Sequence, residues 1–198
     1  MRHLYMLGLL LCWACSSNPQ QTNQAPNQAE NNTSPAINFQ AAGDSIVNAA
    51  QKAFVGALMK AIQERGTSGA VAFCNTHALP IADSLSRHYG CTIQRLSDRY
   101  RNPADRPQAT DSIVIAAYQA QKAAGTPLET RLIEQDQQVV YYKPIILGMP
   151  TCLQCHGNPQ TDIDASTLAV IRSKYPYDLA VGYKQGDLRG VWKIAFRK

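Results

Sequence analysis

The segment Thr151-Cys152-Leu153-Gln154-Cys155-His156-Gly157 places two thiols three positions apart and an imidazole directly after the second. This is C-x-x-C-H, the attachment sequence of c-type haem. Each thiol can add to one of the two vinyl groups of a single haem, while the adjacent imidazole meets the iron from the proximal side. Two other chemistries share part of the pattern, a C-x-x-C redox disulfide and half of a zinc site. The first lacks a thioredoxin-like βαβ context and the second lacks another Cys or His pair at metal spacing. The motif therefore favours one covalently held haem c on Cys152 and Cys155, with His156 as an axial ligand of the iron.

Six cysteines in 198 residues call for an account of the other four. Cys12 lies in a leader segment and Cys15 at its end, which leaves Cys74 and Cys91. In an oxidising compartment the default fate of such a pair is a disulfide. The competing reading makes one of them a thiolate on the sixth iron position, protected from oxidation by its bond to the metal. Spacing alone favours the disulfide, because thiolate opposite His is uncommon among c-type haems. His77, His88, Met59 and Met149 are further distal candidates, each of a type more often found as an ordinary surface or core residue.

The leader sets the compartment. Arg2 and His3 precede the apolar run Leu4–Leu11, and the small residues Ala14-Cys15-Ser16-Ser17 follow, in the order of a secretory signal. Cys15 sits where a bacterial lipobox places its lipidated cysteine, although Cys12 and Trp13 are unusual before it. Residues 1–14 are thus expected to be a lipoprotein-type signal, with ordinary signal-peptidase cleavage as the alternative. Ser16 in place of Asp after the lipid-bearing Cys favours the outer membrane in a Gram-negative host, on the periplasmic side of the envelope. Residues 15–38 then form a tether; the stretch after Cys15 holds ten Asn or Gln and three Pro and offers almost nothing apolar to bury. Its 23 residues reach roughly 25–30 Å as a flexible chain.

Residues 39–198 carry 18 basic and 13 acidic groups, the whole of the +5 formal charge. That excess is too small and too scattered for a nucleic-acid protein, which would show a dense basic stripe. No run of 18 apolar residues suggests a spanning helix. Ile46, Val47, Ala50, Phe54, Leu58, Met59 and Ile62 recur at helical spacing, which predicts a helix over Ala41–Arg65 stopped at Gly66. A second helix is predicted from Thr67 or Ser68 to about Tyr89, with Val71, Cys74, Ala78, Ile81 and Leu85 on one buried face and a kink or a break just before Pro80. Cys91–Leu96 alternates as a strand, Asp98–Pro107 is a polar loop, and Thr110 or Asp111 caps a third helix running through Ala124. Thr130–Gln135, Gln138–Ile146 and Gly190–Phe196 read as strands, and about Ala165 to Lys174 as a late helix. Together they predict an α+β fold, an antiparallel sheet with flanking helices and an N-terminal helical pair.

Several of these segments resemble the Tll0287-like family of c-type haem proteins, domain of unknown function 3365. The resemblance runs from about Ile46 to Phe196. It rests on Ala72-Phe73-Cys74 followed by Leu79-Pro80-Ile81-Ala82, on Arg101-Asn102-Pro103-Ala104, on Tyr142-Lys143-Pro144-Ile145 and on Cys152–Gly157. The long run Tyr175-Pro176-Tyr177-Asp178-Leu179-Ala180-Val181-Gly182-Tyr183, leading to Gly186-Asp187-Leu188-Arg189-Gly190, completes it. The resemblance implies a PAS-like fold with haem in a side pocket, and an axial pair that maps onto His156 and Cys74. Cys91 is then left as a buried thiol. Asp105 departs from the family's frequent Asn, and Thr110-Asp111 from its usual Trp-Glu.

A thiolate on ferric iron is stabilised by the metal charge, which offsets the desolvation that would otherwise raise the thiol pKa. Strong thiolate donation favours Fe(III) and lowers the reduction potential relative to a His/Met cytochrome. Arg95, Arg99, Arg101 and Arg106 are candidate partners of the haem propionates, with a solvated basic loop as the alternative for each. A six-coordinate haem has no vacant position, so low-potential electron transfer to a redox partner is the expected function. The alternative is a haem-based redox or gas sensor in which Cys74 yields its place. With no output domain after the last strand, it would need a separate signalling partner. An enzyme, such as a peroxidase, ranks last because only His77 and His88 could supply distal acid–base chemistry.

Overall fold

The computed structural model describes residues 37–198, which form one compact unit from Ile37 to Lys198. The expected signal, Cys12, the lipidation site Cys15 and the tether up to residue 36 lie outside the described residues.

Helix α1 spans Phe39–Tyr89 and is interrupted at Gly66, whose φ of 68° and ψ of 177° are not helical. Glycine reaches that conformation without a Cβ penalty, so the predicted pair of helices is joined end to end through one residue. Asn38 caps the start, its side chain accepting from the Ala41 N–H at 3.0 Å. The helix does not break at Pro80; Gly66 is the residue inside α1 with non-helical dihedrals. Thr76 and Pro80 are both exposed, so water can satisfy the carbonyl that Pro80 leaves without a donor.

Four antiparallel strands follow the order β1-β4-β3-β2: β1 Thr92–Leu96, β2 Arg131–Gln135, β3 Gln138–Ile146 and β4 Leu188–Arg197. Between them lie α2 (Ala109–Ala123), the single turn α3 (Leu153–His156) and α4 (Ala165–Lys174). This is the α+β antiparallel architecture the sequence predicts. Alternation along the strands gives the sheet two packed faces. On one, Ile46, Val47 and Ala50 of α1 meet Ile93, Tyr141, Trp192 and Ile194. On the other, Val114, Ile115 and Tyr118 of α2 meet Leu96, Val140, Tyr142 and Val191. Helix α1 comes so close that a Cβ on Gly43 would fall 2.5 Å from the Tyr141 ring.

Asp111 is not the cap of α2. Gln108 occupies that place, and Asp111 at the third helical position accepts the Gln108 N–H at 3.1 Å. Its buried carboxylate also accepts Tyr142 Oη at 2.7 Å and Lys193 Nζ at 2.8 Å. Burial pushes this carboxyl pKa up, but the bonds from Lys193, Tyr142 and Gln108 outweigh it and hold it below the usual range. The charge on α2 is thus tied to the central strand through the sheet core.

Candidate functional site

The second half of α1 carries Cys74 and packs on α4 at one point and on a face of the sheet at another. Ala70 and Val71 are buried, and Val71 packs with Ile163, Ile171 and Tyr175 beside Cys155. Leu85, four turns further, packs at the Ile93 and Trp192 cluster. Between these anchors Cys74, Ala78 and Ile81 are only half-buried, although sequence periodicity places them on the same face. The motif is entered through the turn Pro150–Cys152 and wound into α3. Thr67 Oγ1 donates to Gln154 Oε1 at 3.3 Å and ties this turn to α1. Cys155 joins the Val71 cluster, while Cys152 packs with Leu147, Ala180 and Tyr183.

His156 is fixed by its backbone neighbours. Its Nδ1 lies 2.8 Å from the Ala180 carbonyl, and because a carbonyl only accepts, Nδ1 carries the proton and Nε2 keeps its lone pair. The Gly182 N–H donates to Gly157 O at 2.7 Å and the Tyr183 N–H to His156 O at 2.9 Å. Residues 180–183 thus lie along the motif like a short strand. Burial, followed by the charges of Arg189, Arg101 and Arg95, holds the imidazole pKa well below its ordinary value. A neutral ring with a free Nε2 suits metal ligation.

The arginines divide by what they touch. Arg101 donates through Nε and Nη2 to the two carboxylate oxygens of Asp178, at 3.0 and 3.1 Å. Its Nη2 also reaches Cys155 O at 2.6 Å and Ala180 O at 3.1 Å. Arg99 donates to the carbonyls of Leu179 and Val181 and stacks 3.9 Å over the Tyr183 ring. Arg95 instead lies 4.2 Å over the Phe54 ring, and Arg106 is exposed. Arg189, which sequence reading did not single out, donates to Arg99 O at 3.2 Å and also lies over Tyr183. Asp178 and Ala180 were likewise missed as site residues. Both stand in the Tyr175–Tyr183 run, but nothing in the sequence says that this run meets Arg101 and His156.

Cys74 is half-buried; burial pushes its thiol pKa up, and the Arg95 and Arg101 charges oppose that. Burial also pushes Cys155 up to about 11, with Arg101 opposing and Cys74, Asp164 and Cys152 adding to the rise. Cys74, Cys152 and Cys155 therefore share one electrostatic neighbourhood. Cys91 belongs to another, beside Leu85 and Ile93. Helix from Cys74 to Tyr89 rises about 22 Å, while a disulfide needs Cα atoms within about 7 Å. The Cys74–Cys91 disulfide favoured by spacing is excluded by this helix, and all four described cysteines are free.

The other distal candidates, Met59, His77, His88 and Met149, are all exposed. Met59 and Met149 are 42 % and 43 % exposed. His77 is exposed, stacks on Phe73 at 4.1 Å and bonds Phe73 O and Thr76 Oγ1. His88 packs on Tyr89 near the far end of α1. Among the described residues no group of three His, Cys, Asp or Glu side chains converges as a zinc cage would require. No helix among them is long and apolar enough to cross a membrane.

The family model described as Tll0287-like: Tll0287 matches residues 16–197. Among solved structures, the crystal structure of the cyanobacterial heme-protein Tll0287 is similar in fold, with a TM-score of 0.61 and 22 % identity. The match covers 82 % of this chain and 98 % of that one. No curated protein matches the chain.

Proposed function

The chain belongs to the Tll0287-like family, and from that premise we propose that it is a haem protein of the c type. Cys152 and Cys155 hold the group through thioether bonds, His156 Nε2 is one axial ligand, and the Cys74 thiolate is the other. Bound there, haem supplies a one-electron Fe(III)/Fe(II) couple. The residues around it do the rest: Ala180 orients His156, while Arg95 and Arg101 favour the charged form of Cys74. Propionate recognition falls most naturally to Arg95, since Arg99 and Arg101 already donate to protein carbonyls and to Asp178. Low-potential electron transfer, on an exported chain anchored through Cys15, is the use that two strong axial donors favour.

One observation carries this reading. A C-x-x-C-H histidine has its Nδ1–H held by a carbonyl and its Nε2 free, next to Cys155, which packs on Val71 of the helix that carries the half-buried Cys74. The pyridine haemochrome spectrum of denatured protein expressed with the haem-attachment machinery checks the thioethers. A c-type spectrum is expected, lost in Cys152→Ser/Cys155→Ser; extraction of the haem into acidified butanone would overturn covalent attachment. Ferric optical and EPR spectra check the thiolate. Identical low-spin spectra for the parent protein and Cys74→Ser would remove Cys74 from the iron. Binding of carbon monoxide to the ferrous protein would favour the sensor reading.

A further inference from the structure

The carbonyl oxygen of Ala180 accepts two hydrogen bonds at once, from His156 Nδ1 at 2.8 Å and from Arg101 Nη2 at 3.1 Å. The same nitrogen reaches Cys155 O, one residue before the histidine, at 2.6 Å. The guanidinium is itself held by Asp178, whose Oδ1 also accepts the Ala180 N–H at 2.9 Å. One buried cation thus binds the motif turn, the peptide that orients His156 and the carboxylate that caps that peptide.

We propose that Arg101 is a positioning residue that tunes His156 through their shared carbonyl, a role distinct from propionate binding. The inference rests on His156 being the axial ligand. A carbonyl hydrogen-bonded to the Nδ1–H of a metal-bound imidazole raises the basicity of the ring. A guanidinium on the same oxygen draws its electron density away and weakens that effect. Arg101 therefore keeps His156 a more neutral donor and partly restrains the preference for Fe(III) that the opposite thiolate creates. Its second task is geometric, because the bonds to Cys155 O and Ala180 O fix the distance between the motif and the segment that orients it.

Asp178 complicates a single substitution, since removing Arg101 alone leaves a buried carboxylate whose charge would itself favour Fe(III). The test is spectroelectrochemical titration of the holoprotein, its Arg101→Gln/Asp178→Asn double variant and Arg101→Lys. The double variant removes both charges together. Its ferric-to-ferrous ratio at a fixed solution potential should rise about tenfold, a downward midpoint shift of about 59 mV for one electron. The ferric low-spin EPR signal should persist with an altered g spread. Arg101→Lys keeps a charged donor and should retain most of the parent midpoint, which also covers failure of the double variant to fold. An unchanged midpoint in a folded, low-spin double variant overturns the proposal, as does a Lys variant shifted as far as the double variant. Absence of covalent haem from the parent protein would instead overturn the functional reading on which this one rests.

Discussion

The two sides of the site are built by different means. On the histidine side, residues 155–157 and 178–183 are joined by bonds from Arg101, His156, Gly182 and Tyr183, all at 3.1 Å or less. On the cysteine side, Cys74 is carried by a helix whose face is anchored at Val71 and again near Leu85, with half-buried residues between. The first side resists displacement through directional bonds that are costly to leave unmade. The second depends on helix stiffness and on one longer, exposed bond, from Asn75 Nδ2 to Lys174 O at 3.3 Å. Changes on the histidine side should therefore appear first as lost stability, and changes around Cys74 first in the spectrum.

The sharpest break falls on the Arg101–Asp178 pair, whose side chains are 11 % and 8 % exposed. Asp178→Ala leaves a buried guanidinium without its carboxylate and should cost about 3–5 kcal/mol. Urea unfolding of parent and variant measures it. A loss under 1 kcal/mol would mean that the histidine side is no firmer than the other.

Pro80 examines the cysteine side. Relative to Ala, a proline in a helix interior is unfavourable by about 3 kcal/mol, and the exposure of this turn lets the substitution restore a bond to the Thr76 carbonyl without repacking. Pro80→Ala should stabilise the protein and slow amide exchange between residues 76 and 84. Amides of 156–157 and 180–183 should exchange as before. Equal slowing in both regions would show that the two sides move as one unit. A third expectation is smaller in energy: in the haem-free protein Cys74→Ser should change unfolding free energy by less than about 1 kcal/mol, because a half-buried thiol contributes little packing. The ferric spectrum of the haem-loaded variant should nonetheless change, and this separation of stability from spectrum is what the comparison requires.

The same contrast explains what could be read from the sequence. Periodicity and local stop signals located the elements: the helix Ala165–Lys174 has the predicted bounds, and Gly66 divides the N-terminal helical pair as expected. The C-x-x-C-H motif was legible because its chemistry is compressed into five residues. Arg101 was visible as a charge, but its partner Asp178 lies 77 positions away, and no local pattern carries that distance. Asp111 looked like a cap because the start of a helix attracts acidic residues; its bonds to Tyr142 and Lys193 depend on sheet register. Pro80 marked a lost bond in the sequence, but the helix continues through it, because the turn faces water that can satisfy the freed carbonyl.

The smallest effect is a pH dependence confined to the start of α4. Asp164 caps this helix, its oxygens accepting from Ser166 Oγ, Thr167 N–H and Thr167 Oγ1 at 2.6–2.8 Å. The Ser166 and Thr167 side-chain bonds lead the causes that lower its pKa from 3.8 to about 2. A carboxyl with a depressed folded-state pKa contributes stability above its unfolded value, and that contribution is lost as the pH falls from about 4 towards 2. Asp164→Ala should therefore flatten the acid limb of the stability curve in that window, measured by thermal unfolding between pH 5 and about 2. Because Asp164 also raises the Cys155 thiol pKa, the variant should let that thiol react faster with a maleimide in haem-free protein at mildly alkaline pH. A flattened acid limb with an unchanged Cys155 rate would confine the cap's influence to α4 and separate the helix from the motif it packs against.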